Sequence, residues 1–257
     1  MQIKFLTFNI LHGGVFWDNL ISFIHEIEPD IMSLQEVFDS KNQQLEKRFR
    51  TIEEFKKEFP QYPFVVFEPT VIDKTSQAPW GNAIFSKFPI SQHANYLFNG
   101  ELGEYDLVMN DPDPSSVTEG ILEAQIDISG KNVYVYSWHG VWDRHGNDTP
   151  ARDEMLKILT KAIKGKSPII LAGDTNLSPN TQFVKTLTEE LDIQSVFGNS
   201  LVSTFNMLHK KDPGYAIAAV DMVFISKEFK IIKKELLTPD ASDHYPLTVT
   251  LEVLEQF

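Results

Sequence analysis

The feature that most restricts how this chain can fold is a recurring one: an apolar, strand-forming stretch meets a polar or acidic side chain at its end. The run from Ile3 to Phe8 stops at Asn9, and the one from Asp30 stops at Gln35-Glu36. Trp138 leads to His139, and Leu171-Ala172-Gly173 leads to Asp174-Thr175-Asn176. Asp221 opens Met222-Val223-Phe224-Ile225, and Ser242-Asp243-His244 precedes a last strand over about Leu247 to Leu254. A carboxylate at the rim of an apolar strand is costly unless it is paired or bound to a cation. One such residue reads as a turn or a cap. Six in one chain point to strand ends that share a purpose.

The segments between them define a fold class. Ile3 to Asn9 is apolar on both faces and suits a central strand. Trp17, Leu20, Ile21, Ile24 and Ile27 recur at helical spacing, and Pro29 closes that helix. A charged helix is expected from about Gln43 to Phe59, followed by short strands at Tyr62 to Phe67 and Asn82 to Phe85. Val117 to Ile128 and Asn132 to Trp138 read as neighbouring strands joined at Ser129-Gly130. Thr149 is the expected N-cap of a helix with Pro150 in its first position. Strands follow at Pro168 to Ala172, Val220 to Ile225 and about Lys230 to Leu236. Strands recur throughout, while helices concentrate in the first two-thirds. That fits an α/β fold of two packed sheets with helices outside better than a doubly wound single sheet. No repeat, low-complexity run or linker divides residues 1–257, so a single domain is expected.

Composition narrows the chemistry. The chain has no Cys, which excludes disulfides, thiolate metal sites and Cys nucleophiles. Any metal must be held by Asp, Glu, Asn or His, a donor set that favours Mg²⁺, Mn²⁺ or Ca²⁺. With 23 basic and 36 acidic residues the net charge is −13, which disfavours tracking along a polyanion. Only four of the bases are Arg, and Ala94 to Gly130 holds eight acids and no Lys, Arg or His. No segment approaches the roughly 18 consecutive apolar residues of a membrane span. The N-terminus reads directly as a strand rather than a signal peptide, so a cytoplasmic location is expected.

Together, Phe8-Asn9, Leu34-Gln35-Glu36, Gly173-Asp174-Thr175-Asn176, Asp221 and Ser242-Asp243-His244 resemble the endonuclease/exonuclease/phosphatase superfamily, the group with a DNase I-like fold. The motifs run from residue 9 to residue 244, and their order makes the resemblance specific. It implies a four-layer sandwich, two packed mixed β-sheets flanked by helices, with the site in a cleft at one edge of the stacked sheets. It also implies hydrolysis of a phosphoester with Mg²⁺ or Mn²⁺ as cofactor.

Phosphoester hydrolysis requires a cation on the phosphate oxygens, an oriented water, and donors for developing charge. The hard carboxylate of Glu36 is the expected metal ligand, with Asn9 placing the ligand sphere and Asp243 contributing. Asp174 and Asn176, two residues apart, would point the same way in an extended strand. By similarity to the family, Asp174 orients or deprotonates the attacking water, and Asn176 holds that water or the phosphate. Asp221 and His244 are expected to pair, which fixes the imidazole tautomer and favours its charged form. His139 matches the second family histidine, a leaving-group acid or phosphate donor. Asn82 matches a frequent family motif near the site. His12, close behind Asn9, is a candidate to line the cleft.

The combination of Gly-Asp-Thr-Asn, Leu-Gln-Glu and Ser-Asp-His is similar to the tyrosyl-DNA phosphodiesterase branch, with Thr7-Phe8-Asn9 where that branch carries Thr-Trp-Asn. Leu34-Gln35-Glu36-Val37 lacks the Thr-Lys that often follows Glu in abasic-site endonucleases. Substrate choice is expected in the loop His139 to Asp148, where Trp142 and Arg144 offer stacking and phosphate contact, with Arg152 on the helix beyond. The expected function is a metal-dependent phosphodiesterase or phosphatase acting by in-line water attack on a small phosphoester or a short nucleic-acid end. The alternatives are a nuclease or DNA-end processing enzyme and, from another class, a catalytically silent phospho-ligand-binding protein.

Overall fold

A computed structural model describes residues 1–98, 100–107, 116–210 and 218–254. The strands form two sheets. In the first, spatial order runs β12 (Phe229–Leu236), β13 (Leu247–Val253), β1 (Gln2–Asn9), β2 (Ile31–Phe38), β4 (Pro79–Ser86), β3 (Phe64–Asp73) and β6 (Gly103–Tyr105). In the second it runs β10 (Ile193–Ser195), β11 (Asp221–Ser226), β9 (Ile169–Asp174), β8 (Lys131–His139), β7 (Gly120–Ile128) and β5 (Ile90–Leu97). Both sheets are mixed: β1 runs parallel to β2, and β8 to β9, amid antiparallel neighbours.

Three apolar clusters account for the layers. Ile3, Phe5 and Val249 of the first sheet meet Leu122, Val135, Ile170 and Val223 of the second, all buried in one inter-sheet core. The outer face of the first sheet packs Leu6, Phe8 and Met32 against Leu20 and Phe23 of α1 (Trp17–Ile27) and Phe55 of α2 (Thr51–Glu58). The outer face of the second packs Tyr136, Leu171 and Phe224 against Met155 and Leu159 of α3 (Pro150–Ile163) and Phe183 and Leu187 of α4 (Gln182–Leu191). This is the four-layer sandwich expected from the resemblance. A polar link also crosses between the sheets: Gln35 donates to Ser137 Oγ at 3.0 Å.

Some local expectations change. The helix expected from about Gln43 to Phe59 is instead a 3₁₀ turn, Lys47–Arg50, leading into the shorter α2. Residues upstream are held in side-chain turns, with Asn42 N–H on Ser40 Oγ and Gln44 N–H on Asn42 Oδ1. These bonds compete with helix, as polar side chains of this type do. β2 continues past Glu36 to Phe38. Thr149 is the N-cap of α3, with Pro150 at the helix start, but its side chain makes no capping hydrogen bond. Among the described residues, no helix is long and apolar enough to cross a membrane.

Candidate active site

The polar strand ends converge. Across the second sheet, Gly120, His139, Asp174 and Asp221 lie in one lateral row, paired successively between β7, β8, β9 and β11. Gly173 makes the row close: its φ is +150°, and a Cβ there would stand 1.8 Å from the Trp138 carbonyl oxygen. No side chain fits, so the backbone of β9 runs tight against β8 just before Asp174. In the first sheet, Asn9 pairs with Gln35 at the end of β1. The β2–β4 register shifts between Leu34 and Val37, and Glu36 takes a left-handed φ of 62°. Such a bulge re-aims a side chain. Glu36 Oε1 accepts the Asn9 amide at 3.0 Å, and Oε2 accepts the His12 backbone N–H at 2.7 Å.

Asp174 is the meeting point of the two sheets. Its Oδ2 accepts the Asn9 amide at 3.1 Å and stands 3.6 Å from His139 Nε2 and 3.5 Å from His244 Nε2. Each imidazole is backed by a second carboxylate, with Glu119 3.1 Å from His139 Nδ1 and Asp221 2.9 Å from His244 Nδ1. The loop carrying His244 is tied down by Ser242, whose hydroxyl donates to the Asn9 carbonyl and accepts the His244 N–H. Thr204 Oγ1 accepts the N–H groups of Val220 and Asp221, and the Phe205 ring meets His244 edge-on at 4.7 Å. The groups open onto a cavity of about 170 Å³, walled by Trp80, Leu107 and Val117 and by Trp142 and Lys210.

The two imidazoles sit in different electrostatic settings. Burial works against a charge on His244, but Asp221, Asp174 and Asp243 outweigh it and push its pKa up to about 10. His139 moves the other way, pulled down by burial that Asp174 and Glu36 only partly offset. Burial and then the charges of Glu36 and Asp174 push Glu119 well above the usual carboxylate range. Burial thus favours the neutral forms of Glu119 and His139, whereas the surrounding carboxylates favour the imidazolium of His244. Burial opposes ionisation of Glu36 too, but His12, His139, the His12 N–H and the Asn9 amide hold it down at about 2.

An ionised Glu36 on the cavity wall, each oxygen accepting one hydrogen bond, retains lone pairs for a hard cation and fits a divalent metal. Asp174, Asp221 and His244 also bring ligand atoms within 4.8 Å of one another, close enough for an ion. There, however, both ring nitrogens of His244 face carboxylates, and an imidazolium has no lone pair to give a metal.

Asn9, Glu36, His139, Asp174, Asn176, Asp221 and His244 thus come together, and Trp142 lines the cavity. Asn176 does not extend the strand. Its φ is 54°, its N–H turns back onto Asp174 Oδ1, and its amide donates to the Gly140 carbonyl. Asp243 faces Lys210, which lies 3.2 Å from its Oδ2. Three expected substrate contacts are revised. Asn82 is fully buried and donates to the Gly120 carbonyl beneath the site. Arg152 is also fully buried, its guanidinium on the carbonyls of Val141, Asn147 and Asn176, so it braces the loop. Arg144 is exposed on a turn and does not line the cavity. Glu119, Trp80 and Lys210 were not foreseen. Glu119 precedes the residue that pairs with His139, a relation only strand register reveals.

Residues 6–244 match the sequence model of the endonuclease/exonuclease/phosphatase family. The chain belongs to that family. No curated protein matches it. Among solved structures, the family member from Beutenbergia cavernae is similar at a TM-score of 0.73 and 18 % identity, over 98 % of this chain and 72 % of that one. TDP2 of D. rerio, complexed with a single-strand DNA product, is similar at 0.72 and 16 % identity, over 98 % and 99 % of the two chains. A mannosyl-6-phosphatase of Bacteroides thetaiotaomicron is similar at 0.68 and 16 % identity, over 97 % and 99 %. At these identities the likeness is one of fold, the DNase I-like sandwich of this family.

Proposed function

We propose that the chain is a single catalytic domain that hydrolyses a phosphoester of a small molecule or a short nucleic-acid end, with Mg²⁺ or Mn²⁺ held on Glu36. The observation that carries this reading is the convergence of two carboxylate-backed imidazoles and the Asn9 amide on Asp174 Oδ2. Silent phosphate binding does not call for a carboxylate so surrounded, because an anion in that position repels phosphate.

Asp174 orients the attacking water and takes its proton, held in place by Asn9 and the Asn176 N–H. His244, kept charged by Asp221, donates from Nε2 to the phosphoryl oxygens as charge builds on them. His139 gives the proton on Nε2 to the leaving oxygen while Glu119, which burial favours in its protonated form, returns one to Nδ1. A divalent cation on Glu36 supplies positive charge to the phosphoryl group when bound. Trp80 and Trp142 offer faces for a ring or sugar on the leaving group.

The test is turnover of a panel of phosphomonoesters, phosphodiesters, oligonucleotides and lipid headgroups by the metal-stripped protein, with and without added Mg²⁺ or Mn²⁺. Activity that appears only with metal, and that needs a higher metal concentration in Glu36→Gln, is the expected result. Full turnover in EDTA, or an unchanged metal titration in the variant, overturns the assignment of Glu36.

A further inference from the structure

His12 has no part in the steps above, yet its placement is unusual. Leu11 and His12 both adopt left-handed backbone, with φ of 56° and 44°, and Gly13 and Gly14 continue at 79° and 94°. Only specific support keeps non-glycine residues there, and such residues gather at functional sites. The support is Glu36: its Oε2 accepts the His12 N–H at 2.7 Å, and its carbonyl accepts the Gly13 N–H at 2.7 Å. The loop is thereby fastened to the bulge that carries the metal-binding carboxylate. The imidazole lines the same cavity, and its Nδ1 is buried without a hydrogen-bond partner. A buried polar atom left unpaired calls for an explanation, and an ion is one.

The distance supplies it. His12 Nδ1 lies 3.9 Å from Glu36 Oε2, too far for a hydrogen bond. Two metal–ligand bonds of about 2.0–2.2 Å reach across about 4 Å, so one cation can bond both atoms.

Resting on the metal-dependent reading of Glu36, we propose that His12 is a second metal ligand and that this site prefers Mn²⁺ over Mg²⁺. An imidazole nitrogen beside a carboxylate suits a borderline transition ion, whereas Mg²⁺ selects oxygen donors and its own waters. The metal centre here is a nitrogen–oxygen site rather than an all-oxygen one.

The test is metal binding, read without turnover. Calorimetry gives the affinities of the stripped protein for Mn²⁺ and Mg²⁺, and pulsed EPR of bound Mn²⁺ detects nitrogen in its first shell. His12→Asn tolerates the left-handed backbone and exchanges imidazole for an amide. It is expected to lower the Mn²⁺-to-Mg²⁺ affinity ratio at least about tenfold, since even supporting residues of metal sites cost that much, and to remove the nitrogen signal. An unchanged ratio, a retained nitrogen signal, or a wild-type protein that favours Mg²⁺ overturns the proposal. Glu36→Gln separates the two readings. If it abolishes binding of both ions while His12→Asn changes neither, only the role of His12 fails. If it leaves both affinities intact, the metal assignment beneath it fails as well.

Discussion

At the scale of single residues, the pairing of Asp221 with His244 makes a sharp expectation. Asp221→Asn keeps the shape and removes the charge that holds the imidazolium, so kcat should fall by orders of magnitude. His244→Ala should do the same, and the double variant should be little worse than the worse single, because the two act as a unit. Losses that multiply fully would dissolve the pair. Stability should follow pH in a definite direction. The native pKa of His244, about 10, lies above its ordinary 6.5. Its contribution is therefore complete below about 6.5 and fades as pH rises through about 10. Breaking a buried pair on one side costs about 3–5 kcal/mol. Thermal melts should then show wild type and Asp221→Asn furthest apart near neutrality and converging toward pH 10. This pair was legible in the sequence, since Asp221 and Ser242-Asp243-His244 stand in recognisable motifs. Glu119 was not, because an acid in Thr118-Glu119-Gly120 carries no local mark. Only the alignment of Gly120 with His139 gives it meaning.

At the scale of elements, Arg152 shows where sequence reading erred. An arginine just past a loop rich in polar residues reads as a phosphate contact. In the fold it sits in the first turn of α3 and satisfies carbonyls of the loop, Val141 and Asn147, and of the turn after β9, Asn176. Loop carbonyls buried against a helix need donors, and one planar fork provides several. Arg152→Lys should therefore act on stability first. Each charged hydrogen bond lost is worth about 1.5–3 kcal/mol, which urea denaturation would resolve. KM should change little in the fraction that remains folded. A large rise in KM at unchanged stability would restore Arg152 to the substrate. The strands bearing the site were foreseen closely because their apolar runs end on marked residues. β5 and α4 were not, since β5 is an edge strand of mixed polarity, ISQHANYL, with no such ending.

At the scale of the molecule, charge limits what can approach. With a net charge of −13 and no base in sequence between Ala94 and Gly130, the surface offers few partners to a long phosphate backbone. Lys210 is the only lysine or arginine lining the cavity among the described residues. A protein that neutralises six to ten phosphates loses roughly 10³–10⁵ in affinity between 50 and 200 mM salt. Substrate affinity here should fall far less over that range, measured as KM on a small ester. Steep salt dependence with tight duplex binding would contradict this. The seam between the sheets has a wider consequence. Asn9 and Glu36 belong to one sheet, and His139, Asp174 and Asp221 to the other, with Gln35 and Ser137 bolting the two together. On the proposed reaction neither half can work alone, so the interior acts as a jig: a slight slip of one slab over its neighbour is expected to abolish turnover while every strand stays intact.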